Sequence, residues 1–379
     1  MPNADPRNCT TPIILPMFAQ LHSHETLDPQ DLDQYLERGW FRMGQTIFTT
    51  NFLNFKNQYY SAIWLRIMLD EFSVDKTFQK LRKQNARFRI EFKKASITPA
   101  KEALYLSYKK NISFEPSASL HNLLFGKASH NIYNTQEVNL FDADKLIASG
   151  FFDEGKISAA GITSFYDPDY KKYSLGKYLI YLKIEYCKMD GLQYFYPGYF
   201  VPGYPLFDYK LEVGKPFLQY LDLTSKRWWA ISHFSNAVIP LQVMEDKLNT
   251  LQIILTRYGI KSQILKYEFF DVNLIPELNG IELFAFPIFL IYEDLPDENL
   301  YTVVYDVRDH QYHWIRCKSV WASNAANVQT DIYSSHVLKL DEDLLIADNA
   351  ETLAATIQKV LMVKLKPPKS LHRNEDCCN

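Results

Sequence analysis

The pattern of apolar and polar positions is most informative over residues 146–210, where runs rich in aromatic and β-branched residues flank an amphipathic segment. That order predicts strand, strand, helix, strand, the last strand ending beside an aromatic loop. Asp153 interrupts the first apolar run, where a strand disfavours a charge. Asp167-Pro168-Asp169 marks a turn, since proline fixes φ and aspartate bonds back to the local backbone. Ser174, just before Leu175, is placed to cap the free N–H groups of the helix that follows.

Elsewhere the same reasoning predicts a short helix over 28–39, with Asp28 as cap, Pro29 in the first turn and Gly39 as stop. Residues 76–94 read as a helix and then an alternating strand. In that strand Phe88, Ile90 and Phe92 face inward, and Arg87 and Arg89 outward. Leu104, Tyr105 and Tyr108 stand at helical spacing, and Leu120, Leu123 and Leu124 continue the core. An amphipathic helix over 241–258 stops at Gly259. Strand-like runs follow at 263–270, 281–292, 301–307 and 311–317, the last two joined as a hairpin by Arg308-Asp309-His310. Residues 351–364 read as a closing helix, residues 1–20 as an extended lead-in and the chain end as a loose tail. The fold class is α+β, divided into an N-terminal region (1–99), a central domain (100–235), a further α+β domain (236–366) and the tail (367–379).

Composition sets limits. A chain of 379 residues has room for two or three domains, and 47% hydrophobic with 22% charged residues is ordinary for a soluble globular protein. Aromatic residues at 15% imply large cores. A net charge of −3 does not announce a nucleic-acid binder, so any phosphate contact needs a local patch. The stretch 76–94 is one, with Lys76, Lys80, Arg82, Lys83, Arg87, Arg89, Lys93 and Lys94 against the single acid Glu91. Taken alone, such a stretch is more often a solvated face. Cys9, Cys187, Cys317, Cys377 and Cys378 have no regular spacing, which argues against a disulfide framework and fits a reducing cytoplasm. No charged-then-apolar leader opens the sequence, and no apolar run reaches the ~20 residues that cross a bilayer. No metal site is expected. His22 and His24 lack further ligands nearby and read as a solvated loop; His310 and His313, three apart in a strand, point to opposite faces.

Leu146-Ile147-Ala148, Gly150, Asp153, Tyr166-Asp167-Pro168-Asp169-Tyr170, Ser174-Leu175-Gly176, Tyr196, Gly198, Tyr199, Pro205, Tyr209 and Lys210 together resemble the C-terminal half of the aminoacyl-tRNA–protein transferase family. That family includes the arginyltransferases and their bacterial leucyl-transferring relatives. Arg38-Gly39-Trp40, Arg42, Gly44 and Phe48 match its N-terminal segment, and the likeness runs from about residue 30 to about residue 235.

The resemblance implies a GNAT-like acyltransferase core in the central domain. It also implies transfer of an amino acid, arginine expected over leucine, from aminoacyl-tRNA to the α-amine of proteins beginning with Asp or Glu. Such transfer marks those proteins for degradation (an N-degron route), in the cytoplasm, with no membrane or DNA partner. The roles that follow are Asp153 to hold or deprotonate the α-amine and Lys210 to read the acidic side chain or a phosphate. Tyr196, Tyr199 and Tyr209 would orient the terminal adenosine or the peptide, and Arg38 and Arg66 would contact tRNA or the acidic residue. Lys80, Arg82, Lys83, Arg87 and Arg89 would meet tRNA phosphates.

This sequence also departs from the family. Lys56, Tyr59 and Ala62 stand where relatives have cysteines that can hold an iron–sulfur cluster. Such a cluster needs thiolates, so no cluster, and no cofactor beyond the aminoacyl-tRNA co-substrate, is expected. Leu206 replaces a family lysine, Asp208 adds an acid, and Ala160-Gly161 replaces two serines. These changes motivate a second reading, a homologue that lost catalysis and binds tRNA or peptide. A third, a small-molecule acyltransferase using coenzyme A, is weakened because no Gly-rich pyrophosphate turn precedes the helix at 175, where Asp167 and Asp169 would repel one.

Overall fold

The computed structural model describes residues 17–112, 116–278, 280–292, 300–322 and 331–364; most of the N-terminal lead-in and all of the C-terminal tail lie outside them. The protein is mixed α/β, with sheets of eight, six, three and two strands among the described residues. It divides into two units, one of Pro16–Gln242 with Phe270–Ala285, the other built on Val243–Phe269 and the residues from Phe286 onward. No described helix is long and apolar enough to cross a membrane.

The first unit begins with β1 (Ala19–Ser23), α1 (Pro29–Glu37), β2 (Phe41–Met43) and β3 (Thr46–Thr50), the strands forming a small sheet in the order β1-β3-β2. A ribbon of β4 (Phe52–Phe55) and β5 (Gln58–Ser61) turns at Lys56 and Asn57. The main sheet follows, with β6 (Ile63–Met68), β7 (Arg89–Lys94), β8 (Thr135–Asp142), β9 (Lys145–Glu154), β10 (Ser158–Tyr166), β11 (Tyr194–Phe200), β12 (Leu218–Leu221) and β13 (Trp228–Ala230). Their order is β13-β12-β6-β11-β10-β9-β8-β7, so strands from both sides of residue 99 share it. Each neighbouring pair is antiparallel except β10 and β11. A parallel pair needs a crossover, and α5 (Leu175–Met189) supplies it. The predicted strand, strand, helix, strand is therefore present as β9, β10, α5 and β11.

Alternation along β9 divides the core. Phe152 stacks edge-on with Tyr186 of α5 and belongs to the core that also holds Leu179, Tyr181 and Ile184 of α5 and Phe78 of α2 (Lys76–Gln84). Phe151 faces the other way, toward α3 (Pro99–Lys109) and α4 (Leu120–Phe125), with Leu104, Tyr105, Leu120 and Leu124. On that same side Leu32 and Leu36 of α1 meet Phe41, Trp64 and Tyr196. Burying each such aromatic or aliphatic side chain contributes about 1.5–3 kcal/mol.

Three local expectations are corrected. Ile90 is 40% exposed, because β7 is the outermost strand and has one open flank. Ser174 does not cap α5 with its hydroxyl; it takes a left-handed φ of 51° where the preceding 3-10 turn, Pro168–Tyr173, meets the helix. His22 and His24 are not a solvated loop. Their rings both bond the Tyr35 hydroxyl, at 3.0 and 2.9 Å, and His22 packs on Trp40 at 4.3 Å between centroids.

The second unit holds most of α6 (Pro240–Arg257), then β14 (Ser262–Tyr267), β15 (Ile288–Tyr292), β16 (Leu300–Asp306), β17 (Gln311–Ala322), β18 (Ile332–Tyr333), β19 (His336–Ala347) and α7 (Ala350–Lys364). The sheet order is β18-β14-β15-β16-β17-β19. The β16–β17 hairpin is present, while β15 is shorter than the apolar run that predicted it. His310 takes a left-handed φ in the turn, and His313 is buried on β17.

Candidate active site

β10 and β11 pair only from Ser158 opposite Tyr194 to Ala160 opposite Tyr196. Just beyond, each strand shifts register against its other neighbour, β10 between Gly161 and Thr163 and β11 between Phe195 and Gly198. Pro197 offers no N–H to a ladder and Gly198 has a φ of 89°, so the local sequence ends the pairing. A cavity of about 180 Å³ borders the parted strands. Its apolar wall is Leu32, Leu36, Phe41 and Trp64; its polar side chains include Arg42, Asp153, Tyr199 and Lys210; Gly161, Ile162, Pro197 and Gly198 bring the strand backbone to it. α1 is tied to the β9–β10 turn by Asp33, whose carboxylate accepts from the N–H groups of Lys156 and Ile157 at 2.9 and 3.0 Å. A Cβ at Gly155 would stand 2.0 Å from that carboxylate, so glycine alone fits there.

Asp153 is 1% exposed. Its Oδ1 accepts from Arg42 Nη1 at 2.8 Å and from the Thr135 hydroxyl at 2.6 Å. Its Oδ2 is buried without a hydrogen-bond partner among the described residues. Burial raises the Asp153 pKa, opposed by the Arg42 charge. Arg42 cannot swing away: Nε donates to the Gly44 carbonyl at 2.7 Å, Nη2 to that of Leu124, and the guanidinium lies 4.5 Å from the Tyr133 ring centre. A buried acceptor left unsatisfied costs about 1–3 kcal/mol, so Oδ2 marks where a donor fits.

Lys210 sits on a 3-10 turn, Pro205–Leu211. Its Nζ donates to the Tyr199 carbonyl at 2.8 Å and lies 5.3 and 5.2 Å from the Tyr199 and Phe207 ring centres. The side chain is partly exposed overall, but the ammonium is packed round, and burial lowers its pKa to about 7. A Cβ at Gly198 would stand 3.1 Å from Nζ. No carboxylate pairs with Lys210 among the described residues.

The cavity thus gathers Asp153, Tyr199 and Lys210. Tyr196 does not line it. It is 1% exposed, packed between Phe41 and Trp228. Arg66 is held by Gln219 Oε1 at 2.7 Å and lies between the Tyr194 and Trp228 rings, so it braces the wall behind the cavity. Tyr209 is 47% exposed and outside the lining. Arg38 is exposed at the end of α1 and donates to the Gln34 carbonyl at 2.9 Å. Arg42 and Thr135, which orient Asp153, were not singled out from the sequence; Arg42 was visible there only as one matching position.

The basic stretch lies on the α5 side of the sheet, away from α1, since Phe78 of α2 stacks on Tyr181 at 4.8 Å. Arg82 pairs with Glu185, Arg87 with Asp142 at 2.8 Å and Arg89 with Glu91 at 3.0 Å. Lys80 and Lys83 are exposed without an ion pair among the described residues. At the positions where relatives carry cysteines, Lys56 is in the β4–β5 turn, Tyr59 packs on Phe270 at 5.2 Å and Ala62 is buried. Asp306, Asp309 and His313 bring possible ligand atoms within 4.8 Å of one another. Arg308 already pairs with Asp306, and both His313 nitrogens meet carboxylates, so the cluster is satisfied without an ion.

Residues 100–218 match the family described as arginine-tRNA-protein transferase, C terminus. The aspartate/glutamate leucyltransferase of Leptospira interrogans serovar copenhageni is 32% identical over 192 residues, 49% of this chain and 73% of that protein. That of Helicobacter hepaticus is 28% identical over 169 residues, 43% of this chain and 68% of that protein. The solved structure of L-PGS from Bacillus licheniformis overlaps 45% of this chain and 49% of its own, at 12% identity and a TM-score of 0.28, too slight to bear on the fold.

Proposed function

The chain belongs to the aminoacyl-tRNA–protein transferase family, a family of enzymes, and we propose that it moves an amino acid from aminoacyl-tRNA to the α-amine of proteins that begin with Asp or Glu. The observation that carries this reading is the unpartnered Oδ2 of Asp153 in a cavity that also holds Lys210 without a carboxylate. An N-terminal Asp or Glu presents an ammonium and a carboxylate close together, and the cavity presents their complements.

The free α-amine has a pKa of about 8. Its ammonium docks on Oδ2 and gives that oxygen a proton, the transfer being eased by the raised pKa of Asp153. The amine lone pair attacks the ester carbonyl, the amide C–N bond forms and the ester C–O bond breaks; the attacking nitrogen gives up its second proton, and the terminal ribose oxygen of the tRNA takes up one proton as it leaves. Lys210 pairs with the acceptor's side-chain carboxylate. Leucine suits the apolar wall of Leu32, Leu36, Phe41 and Trp64 better than the arginine expected from the sequence, whose guanidinium would have Asp153 as its one acid in the lining.

The parting of β10 from β11 supports a GNAT-like core. Because Lys56, Tyr59 and Ala62 offer no thiolate, the reaction is read as needing no iron–sulfur cluster and no cofactor beyond the charged tRNA. The test offers purified protein Leu-tRNA and Arg-tRNA with Asp-, Glu- and Ala-initiated peptides. Leucine transfer to the acidic peptides is expected; arginine transfer would revise the donor, and no transfer of either would overturn the reading.

A further inference from the structure

Lys183 projects from α5 into the sheet beside the cavity and is 2% exposed. Its Nζ reaches the Phe151 carbonyl at 3.4 Å, the Thr163 carbonyl at 3.3 Å and the Ser164 hydroxyl at 3.0 Å. No carboxylate pairs with it among the described residues, although a buried, unpaired ammonium is costly, and burial lowers its pKa to about 7. Phe151 and Thr163 are the strand partners at the register shift of β10, and Ile162 is the extra residue without a partner on β9. Gly161 and Ile162 line the cavity. A Cβ on Gly161 would stand 3.8 Å from Lys183 Nζ, so the ammonium lies just behind that wall.

We propose that Lys183 is a positioning residue of the transfer site, clamping the Phe151 carbonyl of β9 to the Thr163 carbonyl of β10 across the bulge so that the Gly161–Ile162 backbone stays fixed at the parted edge where the ester carbonyl must sit. The inference rests on the reaction proposed above. Beyond Ala160 the flank of β10 toward β11 has lost its ladder partner, so the sheet itself no longer holds this edge. Three acceptors match the three donors of an ammonium. Release of the clamp moves the wall against which the ester is aligned, and misplacement on the order of 1 Å costs about 10²-fold in rate.

The test compares parent, Lys183→Met and Ser164→Ala in steady-state transfer, tRNA binding and thermal melting. Lys183→Met should lower kcat about 10–100-fold, leave KM for peptide and tRNA within about twofold, and melt near the parent, since it removes a costly buried charge together with its bonds. Ser164→Ala takes away the shortest of the three bonds and should lower kcat a few-fold in the same direction. Parent-like kcat in folded Lys183→Met overturns the inference. If that variant does not fold, parent-like kcat in Ser164→Ala does so. If the parent itself transfers nothing, the proposed reaction fails, and the clamp is judged by amide hydrogen exchange over residues 161–164. Exchange there must quicken in Ser164→Ala, and unchanged exchange overturns the clamp independently.

Discussion

Arg42 and Asp153 stand 111 positions apart in the chain and meet at 2.8 Å inside it, with side chains 4% and 1% exposed. The pair uses one carboxylate oxygen and leaves the other without a partner among the described residues, where the proposed reaction places the acceptor amine. Asp153→Asn removes both the proposed proton acceptor and the charged partner of a buried guanidinium. Turnover should fall about 10²–10⁴-fold, and part of the loss should return above pH ~8, where more of the amine is already deprotonated. Breaking a buried pair costs about 3–5 kcal/mol; Arg42 keeps its bonds to Gly44 and Leu124, so the low end applies and the melting temperature should drop. Kinetics at a temperature well below both melts separates the effects. Parent-like turnover under those conditions would make Asp153 a structural partner of Arg42 alone.

In the basic stretch Arg82, Arg87 and Arg89 already have carboxylate partners, whereas the exposed Lys80 and Lys83 have none among the described residues. An ion pair must be given up before such an arginine meets a phosphate. If this face holds tRNA, changing Lys80 and Lys83 to Ala should lower the log–log salt slope of binding by about 1.4–1.8, at 0.7–0.9 per contact. Changing Arg82, Arg87 and Arg89 should lower it by less per residue. Salt titrations with the same slope in parent and both variants would assign the face to solvent.

In the second unit His313 is 1% exposed, with Asp343 on Nδ1 and Asp309 on Nε2, each at 2.9 Å. Burial pulls its pKa down, but the two carboxylates outweigh burial and raise it above the ordinary value. A histidine raised on folding contributes stability fully below its unfolded pKa of ~6.5 and loses it as pH rises through the folded value. His313→Gln should therefore destabilise the protein more at pH 6 than at pH 9. Equal melting shifts at both would mean that the charge on this imidazole does not matter.

How much of this was legible in the sequence depends on how locally each feature is encoded. β9, β10, α5 and β11 follow from period, turn residues and proline, all read within a few positions. Asp153 stood out because a charge in an apolar run needs a reason. Its partners did not, since Arg42 and Thr135 reach it only through the fold. Tyr196 and Arg66 form a supporting wall instead of lining the cavity, because Tyr196 is still paired with Ala160 at the end of the β10–β11 ladder and Arg66 reaches the Tyr194 and Trp228 rings from β6. β19 escaped notice because Lys339, Asp341, Glu342 and Asp343 hide its alternation; they face Arg316, Lys318 and His313 on β17. Lys183 resembles a solvated helix position until α5 is seen buried on nearly every side.

Lys210 carries the last prediction. Burial holds its pKa near 7 in the free protein, against ~10.4 for an unfolded lysine. Between those values the unfolded chain binds more protons, so this group's contribution makes stability rise with pH from about 7 to about 10. If Lys210 reads the acceptor's acidic side chain, acceptor binding has the opposite sign, because that carboxylate needs the ammonium. KM for Asp- and Glu-initiated peptides should be lowest below pH ~7 and climb above it as Lys210 loses its proton. A hydrogen bond to a charged group contributes about 1.5–3 kcal/mol, so Lys210→Met should raise KM for acidic peptides roughly 10–100-fold and flatten that rise, with little change for an Ala-initiated peptide or for tRNA. The measurement is KM for Asp- and Ala-initiated peptides from pH 6 to 9 in parent and variant. If Lys210→Met instead weakens tRNA and leaves the acidic peptides unaffected, the ammonium reads a phosphate, and selection for Asp and Glu must come from another group.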